Sequence, residues 1–181
     1  MQRAIIIAVI LLIIATTAGL ASIQRRDGNF KLHYNDLTVD AKKQVDCLAE
    51  NIYREAGHEP AQGKQAVAFV TLNRTQDDRY PSDICSVVKQ KTKRTCQFSW
   101  FCLPMKAIDK TSDAYKESLS AALHIYANYE KLQDFTEGAL FYHADYVNPR
   151  WRGLTKTVTI GRHIFYKEVT TYDAKTKPTI I

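Results

Sequence analysis

The chain has 181 residues, of which 45% are hydrophobic and 24% are charged. This length excludes an assembly of several large domains, and the composition excludes a chain too polar to bury a core. We therefore expect one folded domain with short appendages.

The N-terminus carries the longest apolar run of the sequence, with no charge between Arg3 and Arg25. Residues 4–23 supply about the 20 apolar residues that a membrane-crossing helix requires. An uncleaved signal anchor and a cleaved signal peptide both fit, since Gly19 to Ala21 resembles a cleavage site, but the length of the run favours the anchor. We expect the rest of the chain to be exported to the periplasm or cell envelope, membrane-anchored or secreted.

The formal net charge of +6 at pH 7 favours an anionic partner. The densest cationic cluster is formed by Lys89, Lys91, Lys93 and Arg94. In an exported protein an anionic membrane or cell-wall polymer is the expected partner, and the export segment argues against nucleic acid. The alternative is a solvated loop with no partner.

Four cysteines form an even set, for which disulfides are the default in an exported domain. We favour Cys96–Cys102, which closes a short loop, and by elimination Cys47–Cys85. A zinc site is the alternative, but no C-x-x-C or H-E-x-x-H spacing occurs, so we expect neither a metal nor a cofactor.

Apolar residues follow a helical period from Val39 to Ala56. Gly57 is expected to end this helix as its C′ residue, and Pro60 suits the first turn of a second helix. Ser82 would cap a short third helix, and Ser112 a long fourth one.

Beyond the fourth predicted helix the pattern changes to that of strands. Residues 139–144 indicate one strand, and residues 156–169 indicate two strands that turn at Gly161 and Arg162. Helices followed by a small antiparallel sheet predict an α+β fold.

Three carboxylates lie in the first helix and its exit: Glu50, Glu55 and Glu59. On a helical wheel of about 100° per residue, Glu50 falls opposite the apolar stripe, and Glu59 lies past the helix end, so both are expected to be surface charges. Glu55 borders the stripe, where partial burial would raise its pKa above the usual ~4.3 and suit it to general acid catalysis. An ion pair with Arg54 or Arg74 is the structural alternative.

Five blocks of sequence stand in order between about Cys47 and Lys167: LAENIYREAGHEPAQGKQAVAFVTLNR, YPSDICSVV, CQFSWFC, GALFYHADYVNPRW and TIGRHIFYK. Together they resemble the cell wall hydrolase family typified by spore-cortex lytic enzymes. The resemblance implies cleavage of the MurNAc–GlcNAc β-1,4 bond of peptidoglycan glycan strands, in several members by lytic transglycosylation. The family's catalytic glutamate matches Glu55 in "YREA", where Arg54 replaces the more usual Gly or Phe.

A single strong acid determines the chemistry that we expect. Glu55 would protonate the glycosidic oxygen as the bond breaks through an oxocarbenium-like state. A muramidase-type hydrolase needs a second carboxylate, for which Asp145 is the candidate. A transglycosylase needs Glu55 alone, because the ionised carboxylate can take the proton of the sugar's own 6-hydroxyl and so close an anhydro ring. We favour the transglycosylase.

The loop between the two close cysteines is the expected substrate-binding loop. Gln97 and Ser99 would hydrogen-bond N-acetyl or hydroxyl groups, and Phe98 or Trp100 would stack on a sugar. The alternative is that these aromatic side chains fill the core beneath the loop. A disulfide across the loop would hold it rigid, as a binding site requires.

Tyr142 and His143 are the further candidates for substrate contact. They alternate along one predicted strand, so only one of them can face the cleft. The match to the family favours Tyr142.

The sequence thus predicts a lysozyme-like helical domain with a small antiparallel sheet. Its expected divisions are an anchor or signal peptide (1–23), a tether (24–38), a catalytic domain (39–170) and a polar tail (171–181). The rival from another class is a non-catalytic wall-binding envelope protein, in which Glu55 would be dispensable.

Overall fold

The computed structural model of this protein describes residues 32–169. In that range, four α-helices precede three β-strands, which is the predicted α+β class. The helices are α1 (Val39–Ala56), α2 (Ala61–Thr75), α3 (Ile84–Val88) and α4 (Asp113–Asn128), and the strands are β1 (Phe141–Ala144), β2 (Leu154–Ile160) and β3 (His163–Glu168).

The predicted export segment (1–23) and polar tail (171–181) lie outside the described residues, as does most of the predicted tether. Between residues 32 and 169, none of the helices has the length and apolar character needed to cross a bilayer.

Helix α1 begins as the sequence predicts, because the Thr38 hydroxyl accepts a hydrogen bond from the Ala41 amide at 3.2 Å. Its apolar stripe, including Leu48 and Ile52, is fully buried. Gly57 ends the helix as predicted but is its C-cap and not its C′ residue, and its φ of −56° is that of a right-handed helix. A turn follows the helix, in which the Glu59 amide donates to the Ala56 carbonyl oxygen at 3.0 Å.

Helix α2 is the central helix of the domain, in contact with α1, α3, α4 and β2. Because neighbours surround it, the helix is buried on almost every side, polar residues included. The predicted inward face is buried as expected: Ala66, Val67, Phe69, Val70 and Asn73.

The N-cap residues of α3 and α4 can be compared with those predicted from the sequence. Helix α3 is capped by Asp83, whose carboxylate accepts from the Ser86 amide at 2.9 Å, so the prediction of Ser82 is wrong by one residue. Helix α4 is capped by Ser112 as predicted, through the Tyr115 amide at 3.3 Å.

The three strands form an antiparallel sheet in the order β1-β3-β2. Strands β2 and β3 turn at Gly161, as predicted, and its φ of +56° is one that glycine adopts readily. The Glu59 carboxylate fills the space that a Cβ of Gly161 would take, and it accepts from the Arg162 amide at 3.3 Å. The expectation that Glu59 is an ordinary surface charge is therefore wrong, since it holds the hairpin against the start of α2.

The structure contains both expected disulfides and no free cysteine. Cys47–Cys85 joins α1 to α3 inside the core. Cys96–Cys102 closes the loop whose Gln97 to Ser99 segment approaches the end of α1.

Candidate active site

Glu55, on the last turn of α1, lies in a cleft of about 270 Å³ between the helices and the sheet. We call this cavity the Glu55 cleft. Its walls come from three parts of the chain, which are the end of α2, the disulfide loop and β1 with the segment after it. The other lining residues are Arg74, Cys96, Gln97, Phe98, Ser99, Phe141, Tyr142 and Trp151.

The protonation of Glu55 is set by competing influences. Burial raises the pKa of the Glu55 carboxyl group above its ordinary value, and this is the largest effect. The Tyr142 hydroxyl donates to Glu55 Oε2 at 3.1 Å, and that bond, like the nearby charge of Arg74, lowers the pKa. The outcome is a carboxyl group that keeps its proton to a higher pH than a solvated glutamate does.

Arg74 is a buried cation beside the cleft that the sequence reading treated only as a possible ion-pair partner. Its Nε and Nη2 donate to the Leu140 carbonyl oxygen at 2.9 and 2.7 Å, and its guanidinium lies 5.1 Å from the centre of the Phe98 ring. With its amide oriented to satisfy its neighbours, Gln97 accepts from both terminal nitrogens of Arg74 at 3.2 Å. These bonds tie the guanidinium to the loop and the strand, and it forms no ion pair with Glu55 within the salt-bridge distance.

The four candidate residues of the disulfide loop separate into two groups. Gln97, Phe98 and Ser99 line the Glu55 cleft. Trp100 does not line it: the side chain is buried, and its Nε1 donates to Asn51 Oδ1 at 3.1 Å. Trp100 therefore fits the alternative of an aromatic side chain that fills the core. Phe98 fits it as well, because this residue is only 3% exposed although it lines the cleft.

Tyr142 and His143 point in opposite directions, as their alternation on β1 requires. Tyr142 contacts Glu55, whereas His143 lies in a second cavity of about 410 Å³ and its Nε2 lies 2.9 Å from the Tyr166 hydroxyl. Asp145 lines that same second cavity, 3.5 Å from Arg162. His143 and Asp145 therefore do not line the Glu55 cleft.

Two aromatic residues of the cleft, Phe141 and Trp151, were not among the sequence candidates. Trp151 is 44% exposed and lines both the Glu55 cleft and the cavity of His143. The sequence signal was present in the block "GALFYHADYVNPRW", but Trp151 follows the strand in an irregular segment whose direction no periodicity predicts.

Among residues 32–169, Glu55 is the only carboxylate that lines its cleft. In the same range no three acidic, histidine or cysteine side chains are grouped as ligands of a metal ion would be. A half-buried carboxyl group with a raised pKa, in a cleft with polar and aromatic walls, is the arrangement that general acid catalysis requires.

The chain belongs to the cell wall hydrolase family, whose sequence profile matches residues 58–166. The protein is therefore an enzyme of cell wall degradation. Glu55 lies three residues before the matched range, so the family match does not cover it, and its candidate role depends on the geometry of the cleft and on the resemblance of "YREA".

Two solved structures are similar to this chain, and the first of them shows the same fold. The catalytic domain of the Bacillus cereus SleB protein superimposes with a TM-score of 0.52 and 24% identity, over 70% of this chain and 91% of that one. The catalytic domain of the germination-specific lytic transglycosylase SleB from Bacillus anthracis gives a TM-score of 0.49 and 24% identity, over 74% and 98%. No curated protein matches the chain at a significant level.

Replacing Tyr142 with Phe tests whether the Tyr142 hydroxyl lowers the pKa of Glu55. The hydrogen bond lowers the pKa of Glu55, so its loss is expected to raise that pKa further and to extend the acid-dependent activity to higher pH. We also expect a rate about 10-fold lower at the optimum, because the ionised carboxylate loses a donor. The measurement is the pH dependence of kcat/KM, with Tyr166→Phe, which removes a hydroxyl beside His143, as the control. An unchanged profile in Tyr142→Phe would contradict the assignment.

Proposed function

We propose that this protein cleaves the β-1,4 bond between MurNAc and GlcNAc in peptidoglycan glycan strands as a lytic transglycosylase. Glu55 is the proposed acid and base. The proposal rests on one observation above all: within the described residues, the cleft contains one carboxylate, and that carboxylate is partly buried and carries a raised pKa.

The first step needs a protonated Glu55. Burial supplies this form, because desolvation disfavours the charged carboxylate. The Tyr142 hydroxyl donates to Oε2, which leaves the other carboxyl oxygen to carry the proton toward the glycosidic oxygen. Proton donation and cleavage of the C–O bond then produce an oxocarbenium-like sugar and an ionised Glu55.

The second step needs an ionised Glu55 that acts as a base. The hydrogen bond from Tyr142 and the charge of Arg74 both favour this form, so the groups that oppose the first step assist the second. Glu55 takes the proton of the 6-hydroxyl, the 6-oxygen bonds to C1, and the anhydro ring closes. No water is consumed, and the enzyme regains its protonated carboxyl group.

The walls of the cleft suit a sugar ring. Gln97 and Ser99 offer polar groups, while Phe141 and the exposed face of Trp151 offer aromatic surface. Arg74 positions both walls, since it binds Gln97 and the carbonyl oxygen that precedes Phe141. We propose Gln97, Ser99 and Tyr142 as the residues that contact the sugar. Phe98 is buried beneath Arg74 and would support that wall, and His143 lies outside the cleft.

The test is digestion of purified peptidoglycan by the full-length protein in a neutral detergent, with the products read by mass spectrometry. Transglycosylation predicts products lighter by one water than hydrolysed muropeptides, with 1,6-anhydro ends. Hydrated reducing ends would show a hydrolase instead and would make Asp145 the next residue to replace. No cleavage at all would favour the non-catalytic envelope protein.

We also propose that the enzyme acts after export to the cell envelope, anchored or directed there by residues 4–23. The apolar run of that segment and the two disulfides of the folded domain support this location.

A further inference from the structure

A third cavity, of about 740 Å³ and far larger than the Glu55 cleft, lies along another face of α1. It is bounded by the start of α1 and its preceding turn, by Lys89 after α3, and by the segment before α4. We call it the basic groove, because most of its ionisable side chains are cations. These are Lys42, Lys43, Arg54, Lys89, Lys106 and Lys110.

Among residues 32–169, two carboxylates line the basic groove, so its six cations leave an excess of four positive charges. One of the two, Asp46, accepts a hydrogen bond from the Tyr34 hydroxyl at 2.7 Å. The other, Glu50, has a side chain that is 39% exposed, as expected of a surface charge, and lies 4.0 Å from Arg54. Neither carboxylate pairs with a lysine of the groove in the described part of the chain.

None of the five lysines of the groove forms an ion pair among residues 32–169, and three of them, Lys43, Lys89 and Lys106, also lie over no aromatic ring there. Two others are held over tyrosine rings, Lys42 at 5.9 Å from the Tyr34 centre and Lys110 at 5.6 Å from the Tyr115 centre. Cations left unpaired around one cavity repel each other, and an anionic ligand would remove that repulsion.

Arg54 supplies an observation independent of the net charge. Its Nη2 donates to the Lys106 carbonyl oxygen at 2.8 Å, but its buried Nε has no hydrogen-bond partner in the described structure. A buried donor without an acceptor is rare and unfavourable. An oxyanion bound in the groove, with a small rotation of the guanidinium toward it, would supply the missing acceptor in the bidentate geometry that arginine favours.

We propose that the basic groove binds a segment of an anionic polymer chain through its phosphodiester groups. A single small anion would leave most of the cavity and most of the lysines unused, whereas two or three linked phosphates match both its volume and its charge. A flat membrane surface fits less well, because the cations surround a concavity. The groove and the Glu55 cleft lie on different faces of α1, so a bound polymer would hold the enzyme without blocking its substrate.

The test is the binding of a fluorescent poly(glycerol phosphate) oligomer to the full-length protein in a neutral detergent, measured by anisotropy at low and high salt. Replacing Lys43, Lys89 and Lys106 with Gln is expected to weaken binding by about 10-fold or more and to reduce the salt dependence. The matched control replaces Lys91, Lys93 and Arg94 with Gln, which removes the same charge from the neighbouring loop. We expect that control to bind within about 2-fold of wild type.

Several outcomes would overturn the proposal. Equal weakening in both triple variants would show attraction by net charge alone, and absence of wild-type binding would leave the groove without this ligand. Binding to vesicles that contain phosphatidylglycerol, with none to the oligomer, would assign the cations to a membrane surface. Arg54→Lys keeps the positive charge but loses the bidentate donor geometry of the guanidinium. Binding unchanged from wild type in this variant would remove Arg54 from the site. Glu55→Gln is expected to bind normally, so this test fails or succeeds independently of the catalytic proposal.

Discussion

Glu55→Gln is expected to lower the rate of glycan cleavage by at least about 10³-fold. One general acid or base contributes roughly 10²- to 10⁴-fold, and Glu55 serves in both proposed steps. Glutamine keeps the size and the hydrogen bond with Tyr142 but can neither donate nor accept the transferred proton. The measurement is the initial rate of release of soluble muropeptides from purified peptidoglycan.

The matched control is Glu130→Gln, which changes an exposed carboxylate on the turn after α4 and is expected to keep full activity. Thermal unfolding supplies a second control. Burial raises the pKa of Glu55, so its ionisation destabilises the fold increasingly as pH rises from the usual glutamate pKa toward the raised value. Glu55→Gln should therefore be at least as stable as wild type at neutral pH, and this advantage should vanish below about pH 4. Full activity in Glu55→Gln would remove Glu55 from the site.

Local patterns predicted the elements that make the site. The period of α1 placed Glu55 beside the buried stripe, and the alternation on β1 showed that Tyr142 and His143 must diverge. Both inferences need only the geometry of one element. They succeed because burial of an apolar face leaves little freedom in how that element is oriented.

Contacts between distant segments escaped the sequence reading. Glu59 reaches the β2–β3 turn about a hundred residues later, and nothing in its own neighbourhood indicates this. Arg74 is instructive, because it lies on the buried face of α2, one residue after Asn73, and a cation there requires partners. The sequence could therefore have shown that Arg74 has a role, but not that its partners are Gln97 and the Leu140 carbonyl oxygen.

The basic groove shows a further limit of sequence reading. The cationic cluster in the sequence ran from Lys89 to Arg94, yet in that cluster only Lys89 lines the groove. The other cations come from α1 and from the segment before α4, which the fold brings together around Arg54. Charge density along the chain thus gave the sign of the expected partner but not the location of the surface.

The largest expected effect on stability comes from removal of the Cys47–Cys85 disulfide. Replacing both residues with Ala should lower the free energy of unfolding by roughly 4 kcal/mol, because the bridge spans 38 residues and restricts the unfolded chain accordingly. Both cysteines are buried in the core, and alanine leaves no unsatisfied polar group there. The measurement is urea unfolding of the full-length protein at neutral pH in a neutral detergent.

Replacing the second disulfide in the same way tests whether restriction of the unfolded chain explains the stabilisation. Cys96–Cys102 spans only 6 residues, so its loss should lower the free energy of unfolding by roughly 2.4 kcal/mol. That loop forms one wall of the Glu55 cleft, so the Cys96→Ala/Cys102→Ala variant should lose activity out of proportion to its stability. The Cys47→Ala/Cys85→Ala variant, assayed where it remains folded, should retain most of its activity, because neither residue lines the cleft. If the short-loop variant were instead the less stable and the more active of the two, chain restriction would not explain the first bridge and a rigid loop would not explain the second.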